Sequence, residues 1–180
     1  MTTLYRYDHH PVPEQRPYGR FYWLAEGLAG GFYPGSTNPA DRDLKISRLQ
    51  AHGIRTIIDL TEAKEDLEPY DHRLKELAPE IKYHRHEIVD VNIPTEAKME
   101  AILNTIDACL QQGPVYVHCW GGLGRTGTVL GCWLVRHGHE AQAALDYLER
   151  CREKQDEHYW DPSPQTPTQV KFVLNWSHGR

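Results

Sequence analysis

The chain reads as an α/β protein: one domain with a central, mostly parallel sheet of about four to five strands flanked by helices. Three observations predict this. Short apolar, β-branched runs of four to nine residues alternate along the chain with segments of helical periodicity. Gly, Pro, Asn and Thr mark almost every junction between them. The 180 residues suffice for one domain with a substantial core, and 39% hydrophobic with 10% aromatic residues can fill it.

In chain order, residues 1–20 are rich in Tyr, Pro and polar groups and lack periodicity. They read as an N-terminal arm, disordered or laid over a domain spanning 21–180. Phe21–Leu24 reads as a short strand, and Ala29–Ser36 as extended chain leading to a turn. Asn38-Pro39-Ala40-Asp41 opens a helix whose apolar face uses Leu44, Ile46 and Leu49, and Gly53 ends it. Ile54–Leu60 has the character of a buried strand. Leu67, Tyr70, Leu74 and Leu77 then follow helical spacing up to Pro79, and Ile81–Val89 reads as a third strand. Thr95 caps a helix running to about Gln112, stopped by Gly113-Pro114. Val115–His118 is the next strand. Helices are expected over Thr126–Arg136, Ala141–Cys151 and Thr166–Trp176.

Composition excludes several classes. With Lys+Arg 20 against Asp+Glu 25, the net charge is −5, which argues against a nucleic-acid groove. No long apolar run suggests a membrane span, and the N-terminus lacks the apolar stretch of a signal peptide, so a cytoplasmic monomer is expected. Cys109, Cys119, Cys132 and Cys151 form no CxxC pair, so zinc-ribbon and thioredoxin-like sites lose their signature. No disulfide is expected in a cytosolic domain of this size, although the other three cysteines are conceivable resolving partners for Cys119. The close histidine pairs His9-His10, His84-x-His86 and His137-x-His139 are read as surface or structural, with no metal and no cofactor expected.

The informative segment is Val115–Thr128. A buried strand ends in His118-Cys119; five residues follow, three of them glycine, and then Arg125-Thr126-Gly127 opens a helix. Glycines let successive backbone N–H groups turn inward, and a helix N-terminus adds its dipole at the same spot. Arg125 contributes a planar fork suited to two phosphoryl oxygens. A thiol beside a helix N-terminus and a cation is commonly acidified into the range of about 3.5–7.5. One cradle thus generates a thiolate at Cys119 and holds the dianion that it attacks. The Thr126 hydroxyl is placed to hydrogen-bond the Cys119 sulfur as a leaving group. Gly122-x-Gly124-x-x-Gly127 also fits a dinucleotide motif, but it comes late, and the region about 20 residues on reads as helix rather than as a strand ending in an acid.

The run HCWGGLGRTG resembles the Cys-x5-Arg signature loop of the cysteine-based protein phosphatases, the tyrosine and dual-specificity superfamily. The resemblance extends from about Pro34 to Trp176. Within the superfamily it is most similar to the kinase-associated phosphatase and compact bacterial-type relatives, through the GGLGR core and Gly53–Glu62. It implies that Cys119 is the nucleophile and that Trp120, Gly121, Gly122, Leu123, Gly124 and Arg125 bind the phosphoryl group. It implies too that Asp90, in Asp90-Val91-Asn92-Ile93-Pro94, is the general acid and then the base. Asp59, at the end of a buried strand, is the alternative acid or a supporting residue that lines the site. Glu62, Glu65 and Asp66 flank the cleft, mostly as solvated charges. Gln165, in a segment similar to the family's Gln-Thr-x-x-Gln, is the candidate for positioning water, with Gln169 second. His118 resembles the family histidine that holds the loop, and Trp120 either forms the pocket rim or contributes only its N–H.

The expected substrate is a phosphorylated protein or a small phosphoester: phosphotyrosine, with phosphoserine and phosphothreonine accepted in a shallow cleft. A phosphoinositide is the weaker alternative, because no lysine lies between Cys119 and Arg125. A catalytically silent phosphopeptide-binding module is the rival from another class; the full set of nucleophile, arginine, acid and hydroxyl argues against it.

Overall fold

A computed structural model describes residues 17–155, 160–177 and 179. Most of the expected N-terminal arm and the His9-His10 pair lie outside the described residues. Five strands, β1 (Tyr22–Ala25), β2 (Leu28–Gly31), β3 (Thr56–Asp59), β4 (Lys82–Arg85) and β5 (Val115–His118), form one sheet in the order β1-β2-β5-β3-β4. β1 and β2 are antiparallel, joined through Gly27 at φ 74°, a conformation that favours glycine. All other pairs are parallel. The helices are α1 (Pro39–Ala51), α2 (Asp71–Leu77), α3 (Glu96–Leu110), α4 (Gly124–Arg136), α5 (Ala141–Gln155) and α6 (Pro167–Leu174).

Local chemistry sets the helix starts. Asn38 caps α1 by accepting from Ala40 N–H, and Thr95 caps α3 by accepting from Lys98 N–H. Thr166 and Gln169 form a reciprocal capping box on α6, so Thr166 is the cap rather than the first helical residue. α4 begins at Gly124, two residues before the expected start, and α5 runs past Cys151 to Gln155.

Strand alternation divides the core in two. On one face Val115, Val117 and Ile58 meet α3, α4, α5 and α6 through residues such as Ile102, Ile106, Leu130 and Leu148. On the other face Tyr116 and Ile57 meet α1 and α2 in an aromatic-rich layer. There Phe21 stacks on Tyr116 with ring centroids 5.4 Å apart, and Tyr18 packs edge-on against Phe21, Phe32 and Tyr116. Tyr18 thus belongs to the folded body.

The strand expected over Ile81–Val89 is shorter, because β4 is an edge strand with partly exposed side chains. Beyond it two backbone hydrogen bonds tie the chain to the β3 edge, His86 N–H to Asp59 C=O and Ile88 N–H to Leu60 C=O. No helix among the described residues is long and apolar enough to cross a membrane. The parallel strands β3 and β5 end side by side, with Asp59 opposite His118, and the Cys119 loop leaves from that edge.

Candidate active site

The loop from Cys119 to Leu123 joins β5 to α4 and borders a cavity of about 370 Å³. Its shape follows from three carbonyls held from behind. His118 Nδ1–H donates to Cys119 C=O at 3.1 Å, Tyr33 N–H to Trp120 C=O at 3.0 Å, and Ser163 Oγ–H to Leu123 C=O at 2.9 Å. In a trans peptide C=O and N–H point in opposite directions. Anchoring these carbonyls outward therefore turns the N–H groups of Trp120, Gly121 and Gly124 toward the cavity. Among the described residues no side chain caps α4, so its N-terminal amides face the same space. Gly122 makes the turn possible: it sits at φ 72°, and a Cβ there would lie 2.4 Å from the Gly31 carbonyl carbon.

Cys119 is 3% exposed and lines the cavity. Arg125, 1% exposed, points into the same place from the first turn of α4. Its Nη1–H donates to Ile88 C=O at 3.0 Å, and Glu65 grips the guanidinium through both carboxylate oxygens, at 2.5 and 3.1 Å. Its Nη2 meets Asp90 Oδ1 at 2.9 Å. The buried Nε–H has no hydrogen-bond partner among the described residues. Burial pulls the Arg125 pKa down, but Glu65 above all, with Cys119 and Asp90, outweighs it and holds the guanidinium charged. Burial likewise raises Glu65, and the bonds from Arg125 more than reverse this, leaving it below its usual value.

Asp90 stands at the mouth with its side chain 57% exposed, on a turn closed by Asn92 N–H to Val89 C=O. Val91, at φ 60°, occupies the third position of this turn, where a β-branched residue is strained. The turn is tied to α6 by Gln169 Nε2–H donating to Asn92 C=O at 3.1 Å. Gln169 is thereby buried in structural work, whereas Gln165 is exposed and lines the cavity. Trp120, 61% exposed, also lines the cavity, which places it at the rim.

Asp59 does not reach the cavity. It is fully buried and accepts from Thr61 N–H at 2.8 Å, Thr61 Oγ1–H at 2.6 Å and Tyr83 O–H at 2.6 Å, with Arg85 at 3.3 Å. Burial alone would raise its pKa; His118, Thr61 and Tyr83 together hold it below the usual value. Its Oδ1 lies 3.9 Å from His118 Nδ1. Tyr70 O–H donates to His118 Nε2 at 2.5 Å, and since a carbonyl only accepts, the proton of this imidazole sits on Nδ1. Burial keeps His118 neutral by lowering its pKa, against the pull of Asp59.

Two expectations need correction. Among the described residues the buried Thr126 hydroxyl makes no hydrogen bond, to the Cys119 sulfur included: following Arg125 in the first turn of α4 does not bring Oγ1 within bonding range. Glu65 is not a solvated charge but the bidentate partner of Arg125, and Glu62 pairs with Lys64 at 3.0 Å. Reading the sequence also misses Tyr70, which looks like one more apolar position on a helix face, and Ser163, which looks like a helix-opening residue. None of the four cysteines is in a disulfide among the described residues.

Mouse dual specificity protein phosphatase CDC14B is 29% identical over 110 residues, 59% of this chain and 21% of that protein. The protein MJECL20 of Methanocaldococcus jannaschii is 34% identical over 90 residues, 49% of this chain and 55% of that one. The chain thus spans about a fifth of the mouse relative's length and about half of the archaeal one's. The kinase associated phosphatase structure superposes with a TM-score of 0.67 at 22% identity, covering 89% of this chain and 94% of that one. Tk-PTP superposes equally well, with a TM-score of 0.67 at 22% identity over 86% and 93% of the two chains. TpbA of P. aeruginosa gives 0.67 at 17% identity over 89% and 86%. At such identities these structures establish the fold. Residues 29–139, more than half of the chain, match the family model described as "Polymorphic toxin system, DSP-PTPase phosphatase". The chain therefore belongs to the cysteine-based dual-specificity phosphatases and is similar to the kinase-associated phosphatase.

Proposed function

We propose that the chain hydrolyses phosphate monoesters, phosphotyrosine in proteins first among them, through a cysteinyl-phosphate intermediate. One observation supports the reading: Cys119, the uncapped start of α4 and Arg125, whose buried Nε–H has no hydrogen-bond partner among the described residues, all line one cavity. The loop amides and Arg125 bind the equatorial phosphoryl oxygens, which takes Asp90 off Nη2. The Cys119 thiolate attacks phosphorus in line as the P–O bond to the leaving group breaks. Protonated Asp90 gives its proton to that departing oxygen. Asp90, now a carboxylate, takes a proton from water, whose oxygen attacks the cysteinyl-phosphate and releases inorganic phosphate and the thiolate. Gln165 orients this water. His118, neutral and locked between Tyr70 and the Cys119 carbonyl, fixes the loop without exchanging protons.

The residues between Cys119 and Arg125 include no cation to meet the extra phosphates of a phosphoinositide. The test is hydrolysis of para-nitrophenyl phosphate at about pH 6 with EDTA. Cys119→Ser is expected to abolish turnover, and Asp90→Ala to lower kcat by about 10²–10⁴-fold. A folded wild type without turnover, or a Cys119→Ser variant that keeps it, would overturn the reading.

A further inference from the structure

A second cation borders the cavity. Arg20, half-buried, lines the same space as Cys119 and Arg125. Unlike Arg125, it has no ion pair or hydrogen bond among the described residues. Its position is set by the fold. Its neighbours Tyr18 and Phe21 are pinned in the aromatic layer. Its own carbonyl packs on the end of β2, where a Cβ on Gly31 would lie 2.6 Å from it. The same glycine supports Gly122 of the phosphate loop. Arg20 and the loop therefore rest on one rigid strand end, and Arg20 is held there at φ 57°, unusual for a residue with a side chain. A strained residue carrying a charge with no partner, beside a phosphate pocket, fits a recognition role.

We infer that Arg20 forms a subsite for one further anionic group of the substrate, a carboxylate on a residue adjacent to the phosphorylated one in a peptide. This rests on the phosphatase reading above and names its substrate class. Three observations favour a peptide carboxylate over a second phosphate. Arg20 is a single cation, matched to a monoanion, and the phosphate loop adds no lysine. Asp161 lines the same cavity with opposite charge, so an anion is accepted beside Arg20 and opposed beside Asp161. The exposed apolar rim formed by Trp120 and Val91 suits an aromatic side chain and its peptide neighbours.

The experiment compares matched phosphotyrosine peptides carrying Glu or Gln immediately before, or immediately after, the phosphotyrosine. A soluble inositol bisphosphate serves as a further substrate. Each is assayed by kcat/KM with wild type, Arg20→Gly and Arg20→Lys. Glycine suits the positive φ, so it removes the side chain without adding strain, and thermal unfolding checks that each variant is folded. For wild type, Glu on one flank is expected to be favoured over Gln by about 3- to 10-fold, less at high salt. Arg20→Gly is expected to bring that ratio to about one, and Arg20→Lys to keep part of it. Equal Glu and Gln peptides in wild type, a ratio that survives in Arg20→Gly, or turnover of neither peptide would each overturn the subsite. So would an Arg20-dependent preference for the inositol bisphosphate over both peptides. Failure of the phosphatase reading looks different: para-nitrophenyl phosphate is not hydrolysed at all.

Discussion

Gly127→Ala tests whether the segment after α5 braces the phosphate loop. In an isolated helix this change stabilises by about 1 kcal/mol through propensity. Here a Cβ at 127 would lie 2.2 Å from Ser163 Oγ, 3.1 Å from Pro164 N and 3.2 Å from Pro164 Cα. The hydroxyl can move aside only by giving up its 2.9 Å bond to Leu123 C=O, and the proline backbone cannot swing. Overpacking costs about 1–3 kcal/mol and the lost buried bond about 1 kcal/mol. Against the propensity gain, the net is a destabilisation of about 1–3 kcal/mol. Ser163→Ala alone costs about 1 kcal/mol, because Leu123 C=O keeps its bond from Gly127 N–H. In the double variant the closest contact disappears, and the two remaining ones need shifts of only a few tenths of an ångström. The pair is therefore expected to be about 1–2 kcal/mol more stable than the sum of the single changes. Urea unfolding of all four proteins at pH 7, with kcat/KM on an aryl phosphate in parallel, measures this. Gly127→Ala at or above wild-type stability, or strict additivity, would refute the bracing contact.

Stability should also depend on pH in a defined window. The folded pKa of His118 lies below its ordinary value of 6.5, so the unfolded chain binds more protons there. Stability is lost as pH falls from about 6.5 toward the folded pKa, with a slope of up to about 1.4 kcal/mol per pH unit. Asp59 and Glu65, also depressed, add their loss below about pH 4.5 as they protonate. Urea midpoints unchanged between pH 7 and 5 would contradict the buried neutral imidazole. Glu65→Gln takes a bidentate anion from Arg125 and is expected to lower kcat/KM by about 10- to 100-fold; unchanged kinetics would show that the other partners suffice. Val91→Gly removes a left-handed strain of about 1–2 kcal/mol and returns about 0.5–1 kcal/mol to the unfolded chain. Stability should therefore hold or rise while kcat falls through looser placement of Asp90, and a loss of stability would count against the strain.

What was legible in the sequence was what depends on near neighbours. Asn38, Thr95 and Thr166 act on amides two or three residues away; the first two helix starts were visible as residue types before an apolar period, and Thr166 was placed one residue inside its helix. The loop after β5 was legible for the same reason, since Cys119, its glycines and Arg125 are contiguous. The devices that hold that loop are not local. Glu65 reaches Arg125 across 60 residues, Tyr70 reaches His118 across 48, and Ser163 reaches Leu123 across 40. No periodicity carries such pairings; they exist because the parallel strand ends bring distant loops to one edge. Asp59 shows the converse. It stands at a strand end, where site residues are expected, yet Thr61, Tyr83 and Arg85 fill its lone pairs and leave no proton for a substrate. Gln165 and Gln169 were separable by local logic after all. Three residues past a threonine cap, Gln169 is bound to close the capping box, and its remaining N–H then ties down the turn beside Asp90. Gln165, one residue before that cap, has no such duty and stays at the cavity wall. The residue available for chemistry is the one that the helix start does not consume.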